Sequence, residues 1–173
     1  MIISVEALKN RIKCEEADEL ILAKLEAIEA VIRSYTNNNF QQRGIRFRGP
    51  ADGSSVYGPS QYFSAGDTVQ ISSPDGINDG LYQIVAAYDD HVELDRPLAS
   101  VDHNLVTKIS YPADVVQCAV DLYSWKQSMG DKVGVKSETL SRHSVTYEDS
   151  ATLYMGYPVG ILNGLQLHKK ARC

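Results

Sequence analysis

The sequence is poor in the features that announce chemistry. It holds three cysteines among 173 residues, Cys14, Cys118 and Cys173, with no Cys-x-x-Cys spacing and no histidine pair nearby. An odd, dispersed set of this kind argues against a disulfide framework and against a zinc site, so all three read as free thiols, Cys14 and Cys118 on helices and Cys173 at the terminus. Long apolar runs are missing as well: none approaches the roughly 20 residues needed to span a bilayer. The opening Met1-Ile2-Ile3-Ser4-Val5-Glu6 lacks the basic-then-apolar order of a signal peptide. The expectation is a chain made in the cytoplasm with no membrane partner. Basic charge is scarce too, with a formal net charge of -5. That argues against gripping nucleic acid over the whole surface, which needs clustered Lys and Arg to neutralise phosphates. Two local basic segments remain, Arg43, Arg46 and Arg48, and then Lys169, Lys170 and Arg172.

Catalytic constellations are equally sparse. His91, His103, His143 and His168 are scattered, and none has a second histidine at metal-ligand spacing. Asp67, Asp75, Asp79, Asp89, Asp90 and Asp95 could suggest calcium. They sit at turn positions, however, and no stretch has a twelve-residue loop with alternating ligands and a closing Glu. Gly44, Gly49, Gly53 and Gly58 match neither dinucleotide nor P-loop spacing, and Ser54 and Ser55 lie in no Gly-x-Ser-x-Gly context. The expectation is a non-enzyme without metal or cofactor.

What is present is an ordinary globular composition. Hydrophobic residues make up 43% and charged residues 23%, so the chain should fold, and its length suits one domain with a small insert. Ser4 suits an N-cap for a short first helix carrying Val5, Leu8 and Ile12. From Asp18, the residues Ile21, Leu25, Ile28, Ile32 and Tyr35 recur along one helical face until Thr36-Asn37-Asn38-Asn39 ends the element. Between Phe40 and Tyr111 the texture changes to short alternating stretches and turns. Strands are expected at Thr68–Ser72, Leu81–Tyr88, His91–Asp95 and Val106–Ile109, with turns at Ser73-Pro74-Asp75-Gly76, Asn78-Asp79-Gly80 and Asp89-Asp90. A helix then starts at Pro112 and runs to about Gly130 on Val115, Val116, Ala119, Val120, Leu122 and Tyr123. Gly134–Glu138 reads as loop, Ser144–Glu148 as strand, and Pro158–Leu167 as a weak helix interrupted by Gly160 and Gly164. The predicted class is α+β: residues 1–39 and 112–173 form a small helical core with a C-terminal tail, and residues 40–111 form an inserted antiparallel β module, a small curled sheet or SH3-like barrel.

Arg43-Gly44-Ile45-Arg46-Phe47-Arg48 alternates basic and apolar residues. It reads either as a track for a phosphate backbone or as a strand with one solvated basic face. Ten of the aromatics are tyrosines, and Tyr57, Tyr62, Phe63, Tyr154 and Tyr157 are suited either to anchoring a protein interface or to core packing.

Three segments resemble the head-tail connector (adaptor, head-completion) family of tailed phages. They are the helix from Asp18-Glu19-Leu20-Ile21 into Ala30–Phe40, the helix from Pro112 to Trp125, and the run Lys136-Ser137-Glu138 leading to Ser144-Val145-Thr146-Tyr147. Together they cover about half of the chain. Residues 40–111 depart from shorter family members, although Asn78–Val85 looks like small β modules of phage structural proteins. The resemblance implies a homo-oligomeric ring, typically of twelve subunits, docked beneath the portal in the virion and above the next neck (stopper) protein, with DNA passing through its lumen. It implies that the C-terminal segment reaches the portal, here through Ile161, Leu162, Leu165, Leu167, Lys169, Lys170 and Arg172. In such a ring Arg43, Arg46 and Arg48 would face the DNA channel, and Tyr57, Tyr62, Tyr154 and Tyr157 would serve subunit contacts. The alternative for the segment 158–173 is a helix packed on its own domain. The alternative for the whole chain is a small nucleic-acid-binding module built on the β insert.

Overall fold

The computed structural model describes residues 1–129, 137–140, 143–146 and 153–171. The chain is α+β and divides into two compact units, one of Met1 with Asn39–Tyr111 and one of Ile2–Asn38 with Pro112–Cys173.

The first unit is a seven-stranded antiparallel sheet. Its strands are β1 (Gln41–Gly49), β2 (Ala51–Asp52), β3 (Ser55–Tyr57), β4 (Thr68–Ser72), β5 (Gly80–Ala87), β6 (His91–Leu94) and β7 (Asn104–Ile109), in the order β1-β7-β4-β5-β6-β3-β2. The two outermost strands are consecutive in the chain, separated by Pro50, a residue that cannot donate to a ladder and so marks a strand break. The sheet is therefore strongly curled. Gly49 lies so close to the Tyr57 carbonyl that a β-carbon there would collide with it, and one at Gly58 would enter the Phe47 ring. No closed barrel forms among the described residues, and the SH3-like reading comes down to this curled sheet. Alternating positions bury Phe47, Val56, Val69, Ile71, Tyr82, Ile84, Val92, Leu94 and Val106 in a common core, with Phe63 and Leu98 supplied by loops. Two irregularities bend the sheet: five steps along β1 from Gln41 to Arg46 face two along β7, and β5 shifts register between Ile84 and Ala86.

In the second unit, the Ser4 hydroxyl accepts from the Ala7 amide at 3.1 Å and caps α1 (Val5–Lys9), which stops short of Ile12. Helix α2 (Asp18–Thr36) buries Ile21, Leu25, Ile28, Val31 and Ile32. It closes on Asn37, whose left-handed backbone (φ 48°) returns the amide to the carbonyls of Arg33 and Ser34. Helix α3 (Ala113–Met129) packs on α2 and buries Val115, Ala119, Leu122 and Tyr123; Gly130 lies outside the described residues. A hairpin follows, β8 (Ser137–Leu140) with β9 (His143–Thr146). Ser137 and Glu138 thus belong to a strand and not to a loop, because they gain partners in Thr146 and Val145; Gly134–Lys136, Tyr147 and Glu148 lie outside the described residues. A second hairpin joins β10 (Leu153–Tyr154) to β11 (Tyr157–Pro158). The expected weak helix is an α-helical turn, α4 (Val159–Leu162), that tightens into a 3-10 helix over Asn163–His168. No described helix is long and apolar enough to cross a membrane.

Candidate interaction surfaces

Strand β1 is hydrogen-bonded on one side only, to β7, and Arg43, Arg46 and Arg48 are all exposed on it. Arg46 and Arg48 alternate with the inward residues Ile45, Phe47 and Gly49, so they share the solvent face. The side chains of these two and of Arg43 make no hydrogen bond, ion pair or ring contact among the described residues. Positive charge on an outer strand deters unwanted strand pairing, and it also leaves three guanidinium groups available to a partner.

The four tyrosines separate into two kinds. Tyr57 and Tyr62 are 42% and 64% exposed, on the β unit. Tyr154 and Tyr157 belong to the packing of the helical unit: Tyr154 meets Tyr35 edge-on at 5.3 Å and shares a hydrogen bond with Ser34, while Tyr157 is buried beside Trp125. Burial raises the pKa of the Tyr157 hydroxyl.

The C-terminal segment is held by its own unit. Leu162 and Leu165 are buried, Ile161 is half-buried, and Leu167 is 94% exposed. The chain beyond is strapped over the end of α2: the Lys170 amide donates to the Thr36 carbonyl, the Asn37 side chain to the carbonyls of Lys170 and Ala171, and the Asn38 side chain to that of His168. The Lys169 ammonium sits 3.9 Å from the centre of the Tyr35 ring. His168 Nε2 meets the Asp114 carboxylate at 2.6 Å, and this contact holds the Asp114 carboxyl below the usual aspartate range. The residues left on the surface for an outside partner are thus Leu167, Lys169 and Lys170. Arg172 lies outside the described residues.

One feature escaped the sequence reading. His91 stacks on Tyr88 with ring centroids 4.4 Å apart and 14° between planes, and lies 5.4 Å from the Tyr57 ring. Its Nδ1 contacts the Asp90 carboxylate at 2.7 Å, which lowers the Asp90 pKa. The pairing of Tyr57 with His91 across β3 and β6 creates this cluster, and a sequence gives no direct signal for such a register.

Several other polar groups have structural partners. Asp67 accepts from the Ser64 amide, Asp75 from Ile77 and Asp79 from Ser73, as turn aspartates do. Glu16 binds Lys24 at 2.6 Å and accepts from the Tyr123 hydroxyl at 2.8 Å, and the Cys14 thiol lies 3.3 Å from that hydroxyl. The Lys24 contact foremost lowers the Glu16 pKa, and burial raises that of Tyr123. Among the described residues no group of three or more His, Cys, Asp and Glu could hold a metal ion.

The sequence matches no protein-family model. No curated protein matches it either.

Proposed function

We propose that this chain is a non-enzymatic structural subunit, a head-tail connector of a tailed phage. One copy would serve in a ring beneath the portal, extending the DNA channel and offering a docking surface to the next neck protein. Its place would be the head-tail junction of the virion, reached after synthesis in the host cytoplasm. The observation that carries this reading is how the polar groups are distributed. His91, His168, Glu16 and most of the turn aspartates are engaged in turns and pairs that hold the fold, whereas the side chains of Arg43, Arg46 and Arg48, gathered on one outer strand, have no partner among the described residues. Such a surface suits assembly better than chemistry. The resemblance of the two flanking helices and of the Lys136-Ser137-Glu138 to Tyr147 run supplies the family.

Light scattering of the full chain with and without purified portal protein tests the reading. The expected result is a monomer or weak associate alone and a ring on the portal; no association with portal would overturn it. Truncation after Tyr157 is a poor probe of the tail, because it also empties the helical unit of Leu162 and Leu165. Leu167→Asp with Lys169→Glu and Lys170→Glu leaves those two in place, and unchanged portal affinity would remove the tail from the interface.

The three free guanidinium groups also favour a second reading, a small nucleic-acid-binding module on the β unit. Duplex binding that weakens steeply with salt would support it.

A further inference from the structure

The charges of the β unit are segregated along the chain. Strand β1 carries three arginines and no carboxylate, whereas between Arg48 and Arg96 there is no lysine or arginine and there are eight carboxylates. The other two basic groups of the unit are engaged internally. Arg96 lies over the Tyr82 ring at 4.4 Å, and Lys108 pairs with Asp67 at 2.6 Å. Facing solvent on the acidic part is the Tyr57-His91-Tyr88 cluster, with Tyr57 and Tyr88 42% and 49% exposed. Asp89 follows Tyr88 directly. Glu93 lies two residues beyond His91 on β6, on the same face of the strand, and neither acid has a partner among the described residues.

Exposed aromatic faces beside carboxylates make a receptor for a guanidinium: the ring faces attract the cation, the carboxylates accept its hydrogen bonds, and tyrosine and arginine are the residue types that dominate protein interfaces. Arginines suited to such a receptor are on the same chain, on β1, but among the described residues none lies over Tyr57, Tyr88 or His91; Arg96 lies over Tyr82 instead.

We propose that the occupant is a second copy of this chain, with Arg46 and Arg48 of one β1 seated on the Tyr57-His91-Tyr88 cluster and on Asp89 and Glu93 of the next. Two different patches meet in this contact, so it is heterologous and propagates around a ring when the rotation closes. The inference rests on the ring reading above and adds to it the subunit contact. It assigns Arg46 and Arg48 to protein and not to DNA.

Sedimentation of the full chain from micromolar to about 1 mM, at about 0.05 M and 0.5 M salt, tests this. The native chain should associate weakly, and less at high salt. Arg46→Glu with Arg48→Glu, Asp89→Lys with Glu93→Lys, and Tyr88→Ala should each weaken association by about tenfold or more while leaving the circular dichroism spectrum unchanged. A mixture of the two charge-reversed chains should associate with each other, because the reversed patches are again complementary. A native chain that stays monomeric throughout, an R46E/R48E chain that associates like native, or no rescue in the mixture would overturn the contact. So would loss of duplex binding in R46E/R48E with self-association unchanged, which gives the arginines to phosphate. A separate arm with portal distinguishes the two levels: a ring that forms on portal from R46E/R48E sinks this contact and spares the ring, whereas no ring from native chain sinks the connector reading itself.

Discussion

Asn78 donates through Nδ2 to Oδ1 of Asn104 at 2.9 Å, with both amides buried inside the β unit. The Asn78 side chain also donates to the Ala99 carbonyl and accepts from the Ala99 amide, each at 2.9 Å, so it pairs with that residue as a backbone strand would. Asn104 in turn donates to Val101 at 2.8 Å. The two side chains therefore fasten the segment between β6 and β7, which has no ladder of its own, to the turn before β5. Replacing Asn104 with Ala strands the Asn78 donor in a buried site, and we expect a loss of about 1–3 kcal/mol in stability. Denaturant melts of Asn78→Ala, Asn104→Ala and the double variant would check this, and additive effects would mean that the pair is not coupled.

Gly49→Ala should be among the most damaging small changes in the chain. Its new methyl would meet the Tyr57 carbonyl, which is backbone and cannot swing aside. Overpacking of this kind costs about 1–3 kcal/mol. Gly44→Ala, with nothing near its β-carbon position, serves as the control. Equal melting temperatures for the two variants would contradict the close approach of β1 to β3.

Glu16 gives the helical unit an acid limb. Its folded pKa is lowered, first by the Lys24 hydrogen bond and then by that of Tyr123. The carboxylate therefore stabilises the fold fully above the ordinary glutamate pKa of about 4.3 and ceases to do so as pH falls through the lowered folded value. Glu16→Gln should reduce stability at neutral pH and flatten its decline on acidification. An unaltered pH profile would show that the carboxylate contributes nothing.

Burial first, then the charges of Asp121 and Asp114, pushes the Cys118 thiol up to about 11. At neutral pH it is protonated as well as covered, and only the thiolate reacts readily. In a Cys173→Ser background, iodoacetamide should label Cys118 far more slowly in the native protein than in denaturant. Labelling at equal rates would show that α4, whose Ile161 carbonyl lies 3.8 Å from the thiol, does not cover this face of α3.

Met155 sits at φ 48° beside Gly156 at φ 82°, in the two-residue turn joining β10 to β11. A methionine gains nothing from a left-handed backbone, and its side chain is 63% exposed. Asparagine is favoured there, so Met155→Asn should stabilise the protein by about 0.5–1 kcal/mol. Thermal melts would read this directly, and a lowered melting temperature would mean that the Met155 side chain supports the fold.

Several elements were legible in the sequence because their signals are local. The apolar repeat from Ile21 to Ile32 marks α2 wherever the helix packs, Ser4 caps α1 by contact three residues away, and the asparagines after Thr36 end α2 through a backbone only small polar residues adopt cheaply. Alternation marked β4 to β7 for the same reason. Strands β2 and β3 went unread because two- and three-residue strands are too short to alternate and form only where the curled sheet offers them partners. The hairpin of β8 and β9 was half read: Ser144 to Thr146 alternates, but Ser137 and Glu138 become strand only by pairing with it.

The candidate surfaces follow the same division. By itself the sequence determined the α+β class, the change of texture at Phe40 and Tyr111, and the exposed basic alternation of Arg46 and Arg48, since periodicity and turn chemistry act over a few residues. Only the tertiary structure decided that Leu162 and Leu165 are buried in their own unit, that Tyr157 is core, and that Tyr57, Tyr88 and His91 form one cluster. Each of those depends on which distant segment lies alongside, and that is set by strand register and helix packing across tens of residues, which no local pattern records.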